Sequence, residues 1–174
     1  MSEKTAESLV PYDPQWHEKF IEEKKKILDV FSGKGVIFEH IGSTSVKEME
    51  ARPIIDIMIG LVDFEESIEI TKAALKANKY DEIFNFFDLG QRGFFVKEDQ
   101  TGKRIFTALV VKYNKRLWRK HLAEKRLLSA SEEARKKYIE FKKKALEKSE
   151  GNWEEYYRLK EKYFSTNNNI KMED

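Results

Sequence analysis

The run Pro53-Ile54-Ile55-Asp56-Ile57-Met58-Ile59-Gly60-Leu61 constrains the fold more than any other part of the chain. It is apolar at both sets of alternating positions, with Asp56 as the one exception. The run falls far short of the roughly 20 residues needed to span a bilayer. It reads as a strand covered on both sides, which requires layers above and below it. A carboxylate inside such a strand is costly to bury unless it meets a partner, a metal or a cleft. Asp56 is therefore a candidate functional residue as well as a structural one.

The surrounding pattern alternates between helix and strand. Residues 1–9 are polar. Asp13 is placed to cap a helix that opens with Pro14 and runs to about Phe31, with Trp16, Phe20, Ile27, Leu28 and Phe31 on one stripe that Lys24 interrupts. Ser32-Gly33-Lys34-Gly35 reads as a turn, and residues 36–41 as a strand. A loop covers 42–52, and the strand opened by Pro53 runs from 54 to 61. Asp63 and Glu66 have the spacing of a capping box for a helix reaching about Asn78. Residues 80–87, 93–98 and 104–113 read as strands, the last two joined by a hairpin at 99–103. Helices follow at about 115–128, 132–147 and 152–164. In the middle one Ala134, Tyr138, Phe141 and Ala145 form an apolar stripe.

The expected architecture is α+β. A mixed β-sheet is packed by helices, with a helical C-terminal part. The 174 residues suit one domain, divided into a core over 10–113, a helical subregion over 114–164 and a tail over 165–174. The 12 Phe, 7 Tyr and 3 Trp supply enough large apolar surface for its core. There is no cysteine, which excludes disulfides and thiolate metal sites. The N-terminus carries no apolar signal segment and no run is long enough to cross a membrane, so a cytoplasmic location is expected. The net charge of +2 is unevenly spread. Residues 113–163 hold 16 Lys/Arg against 9 Asp/Glu, or +7, which leaves −5 for the rest. The basic half either faces phosphate groups or an acidic partner, or is the solvated side of Lys-rich helices with i,i+4 pairs.

The candidate site begins where the 36–41 strand ends, in Glu39-His40-Ile41-Gly42-Ser43-Thr44-Ser45-Val46. Gly42 allows close approach of a ligand to the backbone. The N–H groups that follow, with the hydroxyls of Ser43, Thr44 and Ser45, have the makings of a phosphate cradle. His40 has two readings, acid/base chemistry or packing against a carbonyl. Arg92, Lys97 and Arg104 flank the middle strands and are candidates for the anionic end of a substrate. His17 and His121, on helices, read as structural or exposed, and Trp118 and Trp153 as core.

A glycine-serine turn after one strand, with an acid on the next strand, resembles the nucleotidyltransferase arrangement. The chain resembles the GrpB family more closely still. The matching residues are Val10, Tyr12-Asp13-Pro14, Trp16 and Phe20, then Glu39 to Val46, then Arg52-Pro53-Ile54-Ile55-Asp56-Ile57. Tyr138 with Lys142, and Tyr156 with Lys160, match more weakly. The resemblance implies a nucleotidyltransferase-like fold, and relatives occur joined to dephospho-coenzyme A kinase. The nucleotidyltransferase arrangement implies a nucleotide or another phosphorylated small molecule at Gly42, Ser43, Thr44 and Ser45, with Mg2+ on Asp56 and Mg2+-dependent nucleotidyl transfer; the GrpB resemblance itself supplies no substrate. The chain departs from that pattern in two places. Met58 stands where a second carboxylate is expected, and no acid lies between Arg104 and Tyr113. A rival reading follows, in which the chain binds a phosphate or coenzyme-A-type ligand without catalysis or metal. RNA binding by the basic helices is a third reading, and no RNA-recognition signature supports it.

Overall fold

The computed structural model describes residues 8–31, 35–83 and 92–167. Residues 32–34 of the turn expected at 32–35, the second half (84–87) of the strand expected at 80–87, and residues 168–174 of the tail lie outside the described residues. Helix α1 (Gln15–Val30) leads into strand β1 (Val36–Ile41), and a short 3-10 turn at Ser43–Ser45 leads towards β2 (Ile55–Leu61). Helix α2 (Phe64–Ala77), β3 (Asp81–Glu82), β4 (Arg92–Glu98) and β5 (Arg104–Lys112) follow. Three helices close the chain: α3 (Arg116–Ala130), α4 (Glu132–Ser149) and α5 (Trp153–Asn167).

The strands form one mixed sheet in the order β1-β2-β5-β4-β3. β2 runs parallel to β5, and the other neighbours are antiparallel. The α+β expectation is met, with β2 inside the sheet. Its alternation assigns the two faces. Ile55, Ile57, Ile59 and Leu61 join Trp16, Phe20, Ile27 and Leu75 in the cluster beneath α1 and α2. Met58 points the other way, into a second cluster with Ile41, Phe94, Leu109, Val111 and Trp118, which the C-terminal helices cover. Trp118 fits closely there, because a Cβ on Gly60 would come within 2.5 Å of its ring. A third cluster joins Val46 and Met49 of the β1–β2 connection to Leu128, Tyr138 and Phe164. The stripe read on α4 thus packs against a loop and its neighbouring helices.

Two local expectations need correction. Leu28 is half-exposed, and the buried stripe of α1 is Trp16, Phe20, Glu23 and Ile27. Asp63 precedes α2 but its side chain makes no capping hydrogen bond, so the capping box is not formed. A side-chain cap occurs instead at α4, where Ser131 Oγ accepts from the Ala134 N–H at 3.1 Å. Asp13 does accept from the Gln15 N–H at 2.9 Å, as expected of a capping residue. Among the described residues no helix is long and apolar enough to cross a membrane.

Candidate functional site

The site starts from a register. β1 and β2 pair so that Ile41 lies opposite Asp56, and Gly42 is the first residue beyond that pair. Gly42 has φ 69°, and a Cβ there would collide with Asp56 Oδ2. Glycine is needed on both counts, and its absence of a side chain lets the carboxylate lie against the turn. On the other side β5 brings Thr107 level with Asp56, and Thr107 Oγ1 donates to Asp56 Oδ1 at 2.5 Å. This bond partly answers the cost of placing a carboxylate in an apolar strand.

Only one hydroxyl of the turn engages the C-terminal helices. Ser45 Oγ donates to the Gly42 carbonyl at 2.7 Å, and Thr44 Oγ1 donates to the Ile54 carbonyl at 3.3 Å. The N–H groups of Ser45 and Val46 close the turn on the carbonyls of Gly42 and Ser43. Ser43 Oγ instead accepts from Lys142 Nζ at 3.2 Å, and the same ammonium donates to the Glu50 carbonyl at 2.5 Å. Lys142 comes from α4 and is 1% exposed. Burial, then the charges of Lys160 and Arg52, lower its pKa to about 7. Lys160 of α5 lies among Tyr138, Tyr156, Tyr157 and Asp56. Burial opposes its charge, but these neighbours outweigh burial and its pKa is raised.

Two adjoining chambers open from this point. The polar one is lined by Ser43, Thr44, Arg52, Asp56, Lys142 and Lys160, with Ile54 and Tyr156. Arg52 sits over the Tyr156 ring at 4.3 Å. The other chamber is largely apolar, walled by Ile41, Phe94, Leu109, Leu128, Tyr138, Tyr157 and Phe164, with His121, Glu124 and Lys125 among its polar groups. Ser43, Asp56 and Lys160 line both. Burial raises the pKa of the Tyr138 and Tyr157 hydroxyls, so both stay uncharged phenols at neutral pH.

The sequence profile described as GrpB protein matches residues 7–169. The chain belongs to the GrpB family. Among its curated relatives, a UPF0157 protein of Halalkalibacterium halodurans is 45% identical over 56 residues, 32% of this chain and 29% of that protein. The glutamate-rich protein GrpB of Alkalihalophilus pseudofirmus is 25% identical over 156 residues, 89% of this chain and 90% of that one. The alignments to some relatives thus span less than half of their length, as with the first of these. The crystal structure of the conserved protein GrpB from Enterococcus faecalis has the same fold, with a TM-score of 0.70 at 22% identity over 90% of this chain and 99% of that one.

In this GrpB-family chain the expected site residues separate into groups. Gly42, Ser43 and Asp56 come together. Thr44 and Ser45 adjoin them, but with hydroxyls bonded to backbone carbonyls. His40 does not join them. It alternates with Ile41 and points to the α1 face, where its ring stacks on Phe20 at 5.0 Å and Nε2 lies 2.9 Å from Thr44 Oγ1. Burial, then Lys125 and His17, lower its pKa to about 3, so it is a neutral packing group. Lys97 is also on the α1 face, where it pairs with the buried Glu23 at 2.5 Å. Arg92 pairs with Val111, four residues along β5 from Thr107, and its side chain is outside the described residues. Arg104 flanks the cleft, 3.8 Å over the Trp153 ring, with Nε and Nη1 buried and unpaired. Burial lowers its pKa, and Asp56 is among the charges acting on it.

Thr107 carries no signal in the sequence beyond being no acid, and His121 reads there as structural or exposed. His121 lies on the chamber wall with Nδ1 3.0 Å from Glu124 Oε2. Lys142 carried a signal, since it lies four residues after Tyr138 and three before Ala145 on the buried side of α4. A lysine on that stripe is either a defect or a functional group.

The protein donors around Asp56 do not by themselves make a Mg2+ site. Mg2+ takes oxygen ligands in octahedral array, from one or two carboxylates plus phosphates and water. Here Met58 is the next residue of β2 on that face, Asp56 Oδ1 already accepts from Thr107, and the cations Lys142, Lys160 and Arg104 all act on Asp56. Among the described residues no group of three or more His, Asp or Glu side chains is placed to hold a metal.

Proposed function

We propose that the polar chamber binds the phosphate groups of a nucleotide or another phosphorylated small molecule, and that lysines supply the positive charge. The observation that carries this reading is the convergence of Lys142, Lys160 and Arg52 on Ser43, beside a single carboxylate. Lys160 and Arg52, half-buried beside the sealed Lys142, need a counter-charge, and Asp56 alone leaves an excess that a phosphate would balance. The adjoining apolar chamber accommodates the body of the same ligand. Its aromatic walls suit a planar base or an acyl chain.

Calorimetry with ATP, pyrophosphate and inorganic phosphate tests this, each in the presence of EDTA. Binding should persist under EDTA, and Lys160→Met should weaken it at least tenfold. Unchanged affinity in that variant would remove the reading. Asp56→Asn should tighten binding or leave it alone, because it takes away a negative charge next to the anion.

A second reading is Mg2+-dependent nucleotidyl transfer. The contact of the Asp56 carboxylate with the Gly42-Ser43 turn favours it. With one protein carboxylate, the ligand's phosphates and water would have to complete the metal's shell. This reading predicts the opposite outcomes: binding lost under EDTA, and Asp56→Asn weaker by tenfold or more.

A further inference from the structure

We propose that Ser43 and Lys142 form a nucleophile and base pair, giving the cleft a capacity for acyl transfer from a carboxylic ester or thioester to Ser43 and then to water. The pair is isolated by its surroundings. The hydroxyls of Thr44 and Ser45 are bonded to carbonyls, while Ser43 Oγ lies 3.2 Å from Lys142 Nζ and lines both chambers. Lys142 is sealed from solvent, and its bond to the Glu50 carbonyl at 2.5 Å holds the nitrogen in place. A neutral amine in that position keeps one N–H on Glu50 and turns its lone pair to the Ser43 hydroxyl, which then donates. The neighbouring charges of Lys160 and Arg52 favour the neutral form, consistent with a pKa of about 7, and both groups face an anion formed in the polar chamber. The apolar chamber takes the acyl group.

The steps balance. Ser43 Oγ attacks the carbonyl carbon and its proton passes to Lys142 Nζ. The bond to the alkoxide or thiolate breaks, and the leaving group takes that proton from Lys142. Water then attacks the Ser43 ester, gives its proton to Lys142, and the acid departs as Ser43 Oγ recovers the proton.

A biotin-tagged fluorophosphonate, which modifies activated serines, tests the pair in the full-length protein without added ligand. The expected result is a single adduct on Ser43, located by peptide mass spectrometry and absent in Ser43→Ala. Its rate should rise about tenfold between pH 6 and 8, levelling above the midpoint near 7. The charged and titratable groups facing Lys142 are Lys160, Arg52, Asp56, Glu50 and Tyr138. Lys142→Arg, checked as folded by circular dichroism, keeps the cation but not the base and should slow labelling at least a hundredfold. The wild-type pH profile is a second measurement that needs no variant. Absence of a Ser43 adduct at pH 8, a rate without an inflection, or equal labelling of folded Lys142→Arg would each overturn the proposal.

Discussion

The two faces of the sheet follow different rules. Beneath α1 and α2 the side chains of β2 are Ile55, Ile57, Ile59 and Leu61, and the polar exceptions are closed off. Glu23 is paired with Lys97, and His40 is neutral and stacked. Beneath α3 to α5 the same strand presents Asp56, Met58 and Gly60. That face is packed around Trp118 but opens into two chambers next to Asp56. Glu23 and His40 on the first face have their polar partners already inside the protein, Lys97 and Lys26 for the one and Thr44 for the other. On the second, Lys142, Lys160 and Arg52 together outnumber Asp56, the carboxylate within their chamber. One face is thus closed by internal partners, and the other gathers three basic side chains around one carboxylate.

This contrast can be broken by pH and by mutation. The largest effect belongs to His40. Its folded pKa of about 3 is below the unfolded value of 6.5, so the unfolded state binds an extra proton between those values. Stability should fall as pH drops through that window, by on the order of 4 kcal/mol from this group. In His40→Gln the urea midpoint should depend much less on acid; an unchanged acid limb would show that His40 is not buried neutral. Next is Ile57→Ala on the α1 face, expected to cost about 3 kcal/mol. Leu109→Ala, beside the open chamber, should cost about half as much, and equal losses would erase the distinction between the faces. Lys142 gives a comparable or smaller effect of the same pH sense, in a higher pH window. Its folded pKa of about 7 is below the unfolded 10.5, so stability should rise with pH from 7 towards 9.5, by roughly 2–3 kcal/mol. Lys142→Met should flatten that rise. The smallest change is expected for Glu48→Gln, which removes an exposed partner of Arg135 at 3.6 Å and should shift stability by less than about 0.5 kcal/mol.

Much of the fold can be read from the chain because strand alternation is strict where both faces are covered. Ile55 through Leu61 show two-sided burial, and the 3.6-residue spacing marks α1 and α4. Element ends were less legible. Asp63 has the right spacing for a capping box, yet its side chain makes no such bond. The meeting of Gly42, Ser43 and Asp56 follows from two adjacent strands and a glycine. Lys142 and Lys160 arrive from helices 99 and 117 positions beyond Ser43. Periodicity identifies the side of a helix that is buried but not the surface it is buried against. His40 was ambiguous for a related reason: one step along a strand moves a side chain to the opposite face.

The dispersed origin of the polar chamber has a consequence for how the molecule is made. Ser43 and Asp56 are synthesised early, while Lys142 and Lys160 come from the last two helices. A growing chain that has completed its sheet therefore has Asp56 bonded to Thr107 but neither lysine beside it. The final helices both cover that surface and bring the opposing charge. Any ligand that requires both sets of groups will recognise only molecules whose late-made helices have docked, and by mass action it will hold them there.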